Sequence, residues 1–415
     1  MIAWRVHSDW RSPICPNAAD IALRLEDLAL FGGTPAFDSP RHVGYPNVGD
    51  RDRLLMRINE LLDRRRLSNH GPLVQEFEAS VARLLGVKHC IAVANGTLGL
   101  EVAMRALDLK GEVIVPAFTF IATAHALQWQ QITPVFCEVD ATHNLDPAHV
   151  ERLITPRTTG IVGVHLWGRG CNVEALTDIA RRHGLKLLFD AAHAFACSSG
   201  GQMIGNFGDM EVFSFHATKF INTFEGGAVV TNDDGLAARV RRMTNFGFAD
   251  YDVVDSVGTN GKMSEISAAM GLTSLESIDE FIGQNQVAYH HYRQVLADVP
   301  GLTVMAYDTA ERSNYQYLVL EIDETVTSIS RDHLMAMLHA EHVLAKRYFY
   351  PGCHRQAPYR TENNVSLPFT EALCQRVLIL PTGPSLTDED RLKIASLLRL
   401  AVANGPAVAR QIQPG

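Results

Sequence analysis

Between about residues 71 and 231, short apolar runs alternate with helical stretches, and this alternation limits the fold more than any other feature of the sequence. Residues 90–94, 112–115, 133–137, 160–164, 186–189, 210–214 and 228–231 read as strands. They are short and mostly unbroken by polar residues, which is the pattern of strands covered on both faces. Helical spacing fills several of the gaps. Gly71-Pro72 opens a run with Val74, Phe77, Val81, Leu84 and Leu85, and further helices are expected over 97–107 and 173–183. The prediction is an α/β protein with a largely parallel central sheet and helices on both faces.

A chain of 415 residues is long for one core. After about residue 280 the pattern changes. A long helical region over 264–297 leads to strand candidates at 303–306 and 316–322 and to helices at 330–341 and 387–403. The expected division is an N-terminal extension at 1–30, a large α/β domain at 31–280 and a smaller C-terminal α+β domain at 281–415. Within the extension, 17–30 read as a short helix.

Composition excludes several classes of function. The net charge is -9, from 37 basic and 46 acidic residues. The densest basic cluster, Arg64-Arg65-Arg66, reads as a solvated helix end, and nucleic acid is not an expected partner. No apolar stretch reaches the length of a membrane span, and the first 30 residues lack the apolar centre of a signal peptide. Seven cysteines, an odd number with no Cys-x-x-Cys pair, fit a reduced cytoplasmic protein. His193 with Cys197, and His339 with His342, have no further ligands around them to make a metal site.

Three local patterns carry chemistry. Residues 213–219 end an apolar strand in a polar turn that presents Lys219, placed to form a Schiff base with an aldehyde cofactor. Asp190 closes the strand before Ala191-Ala192-His193. A carboxylate at a strand's carboxyl end can hold a protonated pyridine nitrogen, or it can cap a following helix. Asn95-Gly96-Thr97 joins a strand to a helix start, which is either a phosphate cradle or a routine turn.

The ordered set is more specific than its parts. Asn-Gly-Thr at 95–97, Phe-Thr-Phe-x-Ala-Thr at 118–123, Asp-x-Ala-His-Ala at 190–194, Ser-Phe-His-Ala-Thr-Lys at 214–219 and Gly-x-Asn-x-Lys-Met-Ser-Glu at 258–265 together resemble the DegT/StrS family of nucleotide-sugar aminotransferases, particularly members acting on TDP-4-keto-6-deoxyglucose. The resemblance extends over about residues 30–403. It implies a fold-type I transferase dependent on pyridoxal 5′-phosphate, with L-glutamate as amino donor. By the same resemblance Lys219 is the Schiff-base lysine, Asp190 pairs with the pyridine nitrogen, and His193 lies near the ring hydroxyl. Phe120 stacks on the ring, while Gly96, Thr97 and Ser214 hold the phosphate. Asn260 reaches the phosphate of the other subunit's cofactor, which implies a homodimer with shared sites. Lys262 departs from the arginine that many relatives carry, and the two are not equivalent at a bidentate site.

Rival readings differ at identifiable residues. A sugar 3-dehydrase of the same family carries histidine in place of Lys219. A non-catalytic sugar-binding protein has no need of Lys219, Asp190 and His193 together. A nicotinamide-dependent oxidoreductase needs a Gly-x-Gly-x-x-Gly turn, which residues 95–99 do not make. A 3-aminotransferase shares the catalytic set and differs in how the sugar lies.

Overall fold

The computed structural model describes residues 23–360, 365–384 and 386–412. Its main sheet has seven strands: β1 (His89–Val93), β2 (Glu112–Pro116), β3 (Thr133–Cys137), β4 (Thr158–Val164), β5 (Lys186–Asp190), β6 (Met210–Ser214) and β7 (Gly227–Thr231). All seven fall on the predicted apolar runs. Their order is β1-β7-β6-β5-β4-β2-β3. β7 runs antiparallel to both of its neighbours, and the other pairings are parallel. The sheet is therefore largely parallel, as expected, with one reversed strand that the apolar pattern did not reveal.

Helices α1 (Arg51–Arg64), α2 (Pro72–Leu85), α3 (Gly96–Ala106), α4 (Ala122–Gln128), α5 (Val173–His183) and α6 (Asp234–Met243) connect or flank these strands. The alternation of side chains across the sheet explains the unbroken apolar runs. Phe213, Ala228 and Val230 face the cluster of Leu73, Phe77 and Val81 from α2. Val212 and Val229 face the opposite cluster, with Leu100 and Ala103 from α3. A strand with core on both sides is apolar on both faces unless a polar residue finds a buried partner, as Glu211 of β6 does in His165.

The expected helix over 264–297 is broken into α7 (Glu265–Glu276) and α8 (Ile278–Val295) at Ser277. The Ser277 hydroxyl donates to the Thr273 carbonyl, a back-bond that bends helices. Arg57 of α1 holds the same corner through Thr273 and Glu276. Beyond it, β8 (Leu302–Val304), β9 (Leu318–Ile322) and β10 (Val377–Leu380) form a small antiparallel sheet in that order. β10 was not expected, because its partner β9 lies more than fifty residues away in sequence. Helices α9 (Arg331–Ala340) and α10 (Asp388–Ala403) pack with it.

Of the expected helix at 17–30, residues 17–22 lie outside the described residues. The rest forms two 3-10 turns, Leu25–Asp27 and Ala29–Phe31, separated by extended Leu28. The buried Glu341 carboxylate explains the interruption, since it accepts the amides of Ala29 at 2.7 Å and Ala36 at 2.8 Å and pins the segment against the end of α9. No single helix among the described residues is long and apolar enough to cross a membrane. The six described cysteines are free and buried.

Candidate active site

The carboxyl ends of the parallel strands open into a cavity of about 770 Å³, the position at which open α/β sheets place their ligands. Gly96, Thr97, Phe120, Asp190, His193, Ser214 and Lys219 all line it. These are seven of the eight residues singled out in the sequence.

Asp190 is the last residue of β5 and is buried. Its Oδ2 accepts the Thr123 hydroxyl at 2.8 Å and its Oδ1 accepts the Ala192 amide at 3.1 Å. The alternative reading as a helix cap finds no helix, because residues 191–197 form turns. Burial pushes the Asp190 carboxyl up, while the Thr123 hydroxyl, the Ala192 amide and the Lys219 charge oppose the shift. Thr123 is itself held by Thr119, one helical turn back, at 3.1 Å.

His193 follows in the same turn. Its ring stacks on Trp167, with centroids 5.6 Å apart, and packs against Tyr317 at 4.4 Å. Asn314 clamps its carbonyl at 3.1 Å. Burial drives the imidazole pKa well down and the Lys219 charge lowers it further, so the ring is neutral. Among the described residues its buried Nδ1 has no hydrogen-bond partner, which is the condition of a group that meets a ligand.

Lys219 sits in the turn after β6, its amide bonded to the His216 carbonyl at 2.8 Å. Burial lowers its ammonium pKa to about 8, against the opposing pull of Asp190. A lysine of that basicity has an appreciable neutral fraction near neutral pH and is a usable nucleophile.

At the start of α3, the Asn95 side chain accepts the Leu98 amide at 2.9 Å. The amides of Gly96 and Thr97 are left as the unsatisfied first donors of the helix, an anion site beside the Ser214 hydroxyl. Only glycine fits at 96, since a Cβ there would fall 2.9 Å from the Cβ of Ser214. Phe120 stands 57% exposed at the cavity, a large ring without a core to bury it.

Asn260 is not part of this cavity. It is exposed, and its backbone bridges to Asn245. Around it lie Phe246 and the apolar hairpin Phe248–Asp250 and Val253–Val254, with Tyr251 91% and Val257 79% exposed. Lys262 donates to Asn245 Oδ1 at 2.9 Å and lies over the Phe246 ring.

From the small-sheet side, Tyr317, Lys346, Tyr348 and Phe349 complete the wall. Phe349 lines the cavity, but Tyr350 stacks with Arg347 and His354 pairs with Glu371. No sequence pattern pointed to Tyr317 or Lys346, which reach the site only through tertiary packing. Thr123 stands in a recognised motif, but its pairing with Asp190 exists only in the folded chain.

An amine of lowered basicity, a buried acid within its electrostatic reach and an anion-binding helix start together make a site suited to exchange between amines and carbonyls. The chain belongs to the DegT/DnrJ/EryC1/StrS aminotransferase family, whose profile matches residues 50–399, and its architecture is that of fold-type I transferases. It is 35% identical to the dTDP-4-amino-4,6-dideoxy-D-glucose transaminase of Shigella dysenteriae, over 87% of this chain and 99% of that one. It is 36% identical to the GDP-perosamine synthase of Caulobacter vibrioides, over 87% and 98% of the two chains. Among solved structures, DesI, crystallised in the presence of its TDP-sugar product, superposes with a TM-score of 0.90 at 51% identity, covering 93% of this chain and 99% of that one.

Proposed function

We propose that the protein moves an amino group from L-glutamate to C4 of TDP-4-keto-6-deoxyglucose, giving TDP-4-amino-4,6-dideoxyglucose and 2-oxoglutarate, with pyridoxal 5′-phosphate as its cofactor. The observation that carries this is Lys219, lowered to about 8, in one cavity with buried Asp190 and the open start of α3. The name of the Shigella transaminase supports the sugar and the carbon, and the DesI complex with its TDP-sugar product supports the nucleotide.

The residues present fit the cofactor. Gly96, Thr97 and Ser214 offer donors to a phosphate, Phe120 a face for a flat ring, Asp190 a carboxylate for a pyridine nitrogen, and His193 an unpartnered ring nitrogen. When bound, the cofactor supplies the electron sink that makes an amino acid's α-proton removable. Lys219 would anchor it, and the Lys219 amine would move the proton at the donor's α-carbon. Asp190 keeps a proton on the pyridine nitrogen through its negative charge. Phe120 excludes water from one side. The same groups act in reverse on the ketone of the sugar, and the nucleotide end provides binding energy that orients it.

The purified protein is expected to show a visible absorbance band that changes when L-glutamate is added. Incubation with glutamate and, separately, the 4-keto and 3-keto TDP sugars, followed by NMR of the product, tests the carbon. Amination of the 3-keto isomer alone would overturn the C4 assignment, and a colourless protein that fails to take up added pyridoxal phosphate would overturn the reading as a whole.

The active form is proposed as a homodimer with shared sites. Asn260 supports this, since it is exposed, lies outside its own cavity and adjoins the exposed apolar hairpin, a surface of the kind that marks an interface. Asn260→Ala is expected to weaken cofactor binding. Mixed with Lys219→Ala chains, it should recover activity, because each hybrid dimer holds one site with both lesions and one with neither. Verified subunit exchange without recovery would count against sharing.

A further inference from the structure

The charges lining the cavity are unequally committed. Among the cavity's described residues the basic groups are Lys219, Lys346, His193 and His216. Lys219 has its role, His193 is held neutral by burial, and His216 faces Glu225 at 3.6 Å and shares a hydrogen bond with Thr218 at 2.9 Å. Lys346 remains. Its neighbour Arg347 is tied to Asp332 at 3.1 Å and lies over the Tyr350 ring, whereas among the described residues the Lys346 ammonium makes no ion pair or hydrogen bond and lies 6.0 Å from the Tyr348 ring centroid.

The backbone beneath Lys346 is fixed. Its amide donates to the Ile379 carbonyl at 3.0 Å and its carbonyl accepts the Ile379 amide at 2.7 Å, so β10 holds the residue at the cavity rim. Most unpaired surface lysines swing freely in solvent. This one projects from a braced position into a cavity that must accept anions although the chain carries a net charge of -9. A single uncommitted cation at such a site both attracts an anion and orients it.

We propose that Lys346 binds the anionic end of the substrate, either a carboxylate of the amino donor or the diphosphate of the sugar nucleotide. The proposal rests on the aminotransferase reading above, and its test separates the two. Holoenzyme is titrated calorimetrically with 2-oxoglutarate and with thymidine diphosphate, in wild type, Lys346→Met and Lys346→Arg. Loss of one charge-assisted hydrogen bond weakens binding by about tenfold. Lys346→Met is therefore expected to bind at least one of the two probes about tenfold more weakly, and the probe affected identifies the anion. Lys346→Arg should restore binding, and all three proteins should melt together because the side chain is exposed and unpaired. If Lys346→Met binds both probes as wild type does, or if wild type binds neither, the proposal is overturned. The visible response to L-glutamate, recorded on the same samples, tests the aminotransferase reading separately.

Discussion

Lys219→Ala is expected to remain folded and to take up pyridoxal phosphate without a covalent link, while its transamination rate falls by about a thousandfold or more, in the range lost when a proton-transfer group is removed. The fold tolerates the change because the lysine amine makes no hydrogen bond that other residues need, and the turn is held by the amide of residue 219 on the His216 carbonyl. The amides of Gly96 and Thr97, proposed to hold the phosphate, are untouched. Both the anchor and the proton carrier are lost, and Asp190 and His193 stand on a different strand end and cannot replace them. The wild type offers a companion measurement. Only the neutral amine adds to a carbonyl. With its pKa lowered to about 8, the neutral fraction grows about tenfold between pH 7 and pH 9. Covalent uptake of cofactor by the apoprotein should accelerate accordingly. Near-normal turnover by Lys219→Ala, or uptake independent of pH in that window, contradicts the assignment.

Asp190→Asn is the second large effect. The amide keeps the shape of the carboxylate. Its oxygen can still accept the Ala192 amide while its nitrogen donates to the Thr123 hydroxyl, so β5 should stay in place. What disappears is a buried negative charge. Stopped-flow single turnover with L-glutamate is expected to slow by about a hundredfold to a thousandfold, the loss typical of one preorganised electrostatic partner. A second readout separates charge from shape. Asp190 raises the Lys219 pKa, so its removal should shift the pH profile of cofactor uptake to lower pH. A residue that served only to cap the turn would leave both the rate and the profile unchanged.

The parts of this site that were legible in the sequence are those whose geometry is local. Asp190 and Lys219 each end a strand or the turn just beyond it, and Gly96 joins a strand to a helix within two residues. A strand's carboxyl end projects its next few side chains into the same crevice wherever that strand sits in the sheet, so the run of apolar residues already aims them. The resemblance to a family then assigned their roles. Pairing at long range was not legible. Nothing in Ala228 to Thr231 marks it as antiparallel, since a strand covered on both faces reads the same in either direction. Val377–Leu380 becomes a strand only because Leu318–Ile322 meets it. Tyr317 and Lys346 enter the cavity by that same packing. At Ser277 the helical pattern continues across the break, and the bend comes from a side-chain hydrogen bond and from the grip of Arg57.

The reversed strand has a consequence for the order in which the molecule is built. β1 lies at the edge of the sheet and its one neighbour is β7. The residues that start α3 are therefore made early, yet their strand finds its neighbour in the sheet only once Gly227–Thr231 has left the ribosome. At about 5–20 residues per second this delay lasts on the order of ten seconds or more. Lys219 is added only twelve residues before Thr231, so the nucleophile and the unsupported start of α3 coexist for about the last second or two of it. The start of α3 and Lys219 therefore form one site only after the sheet closes at β7, and a chain interrupted between Lys219 and Gly227 carries the nucleophile without a supported α3 beside it.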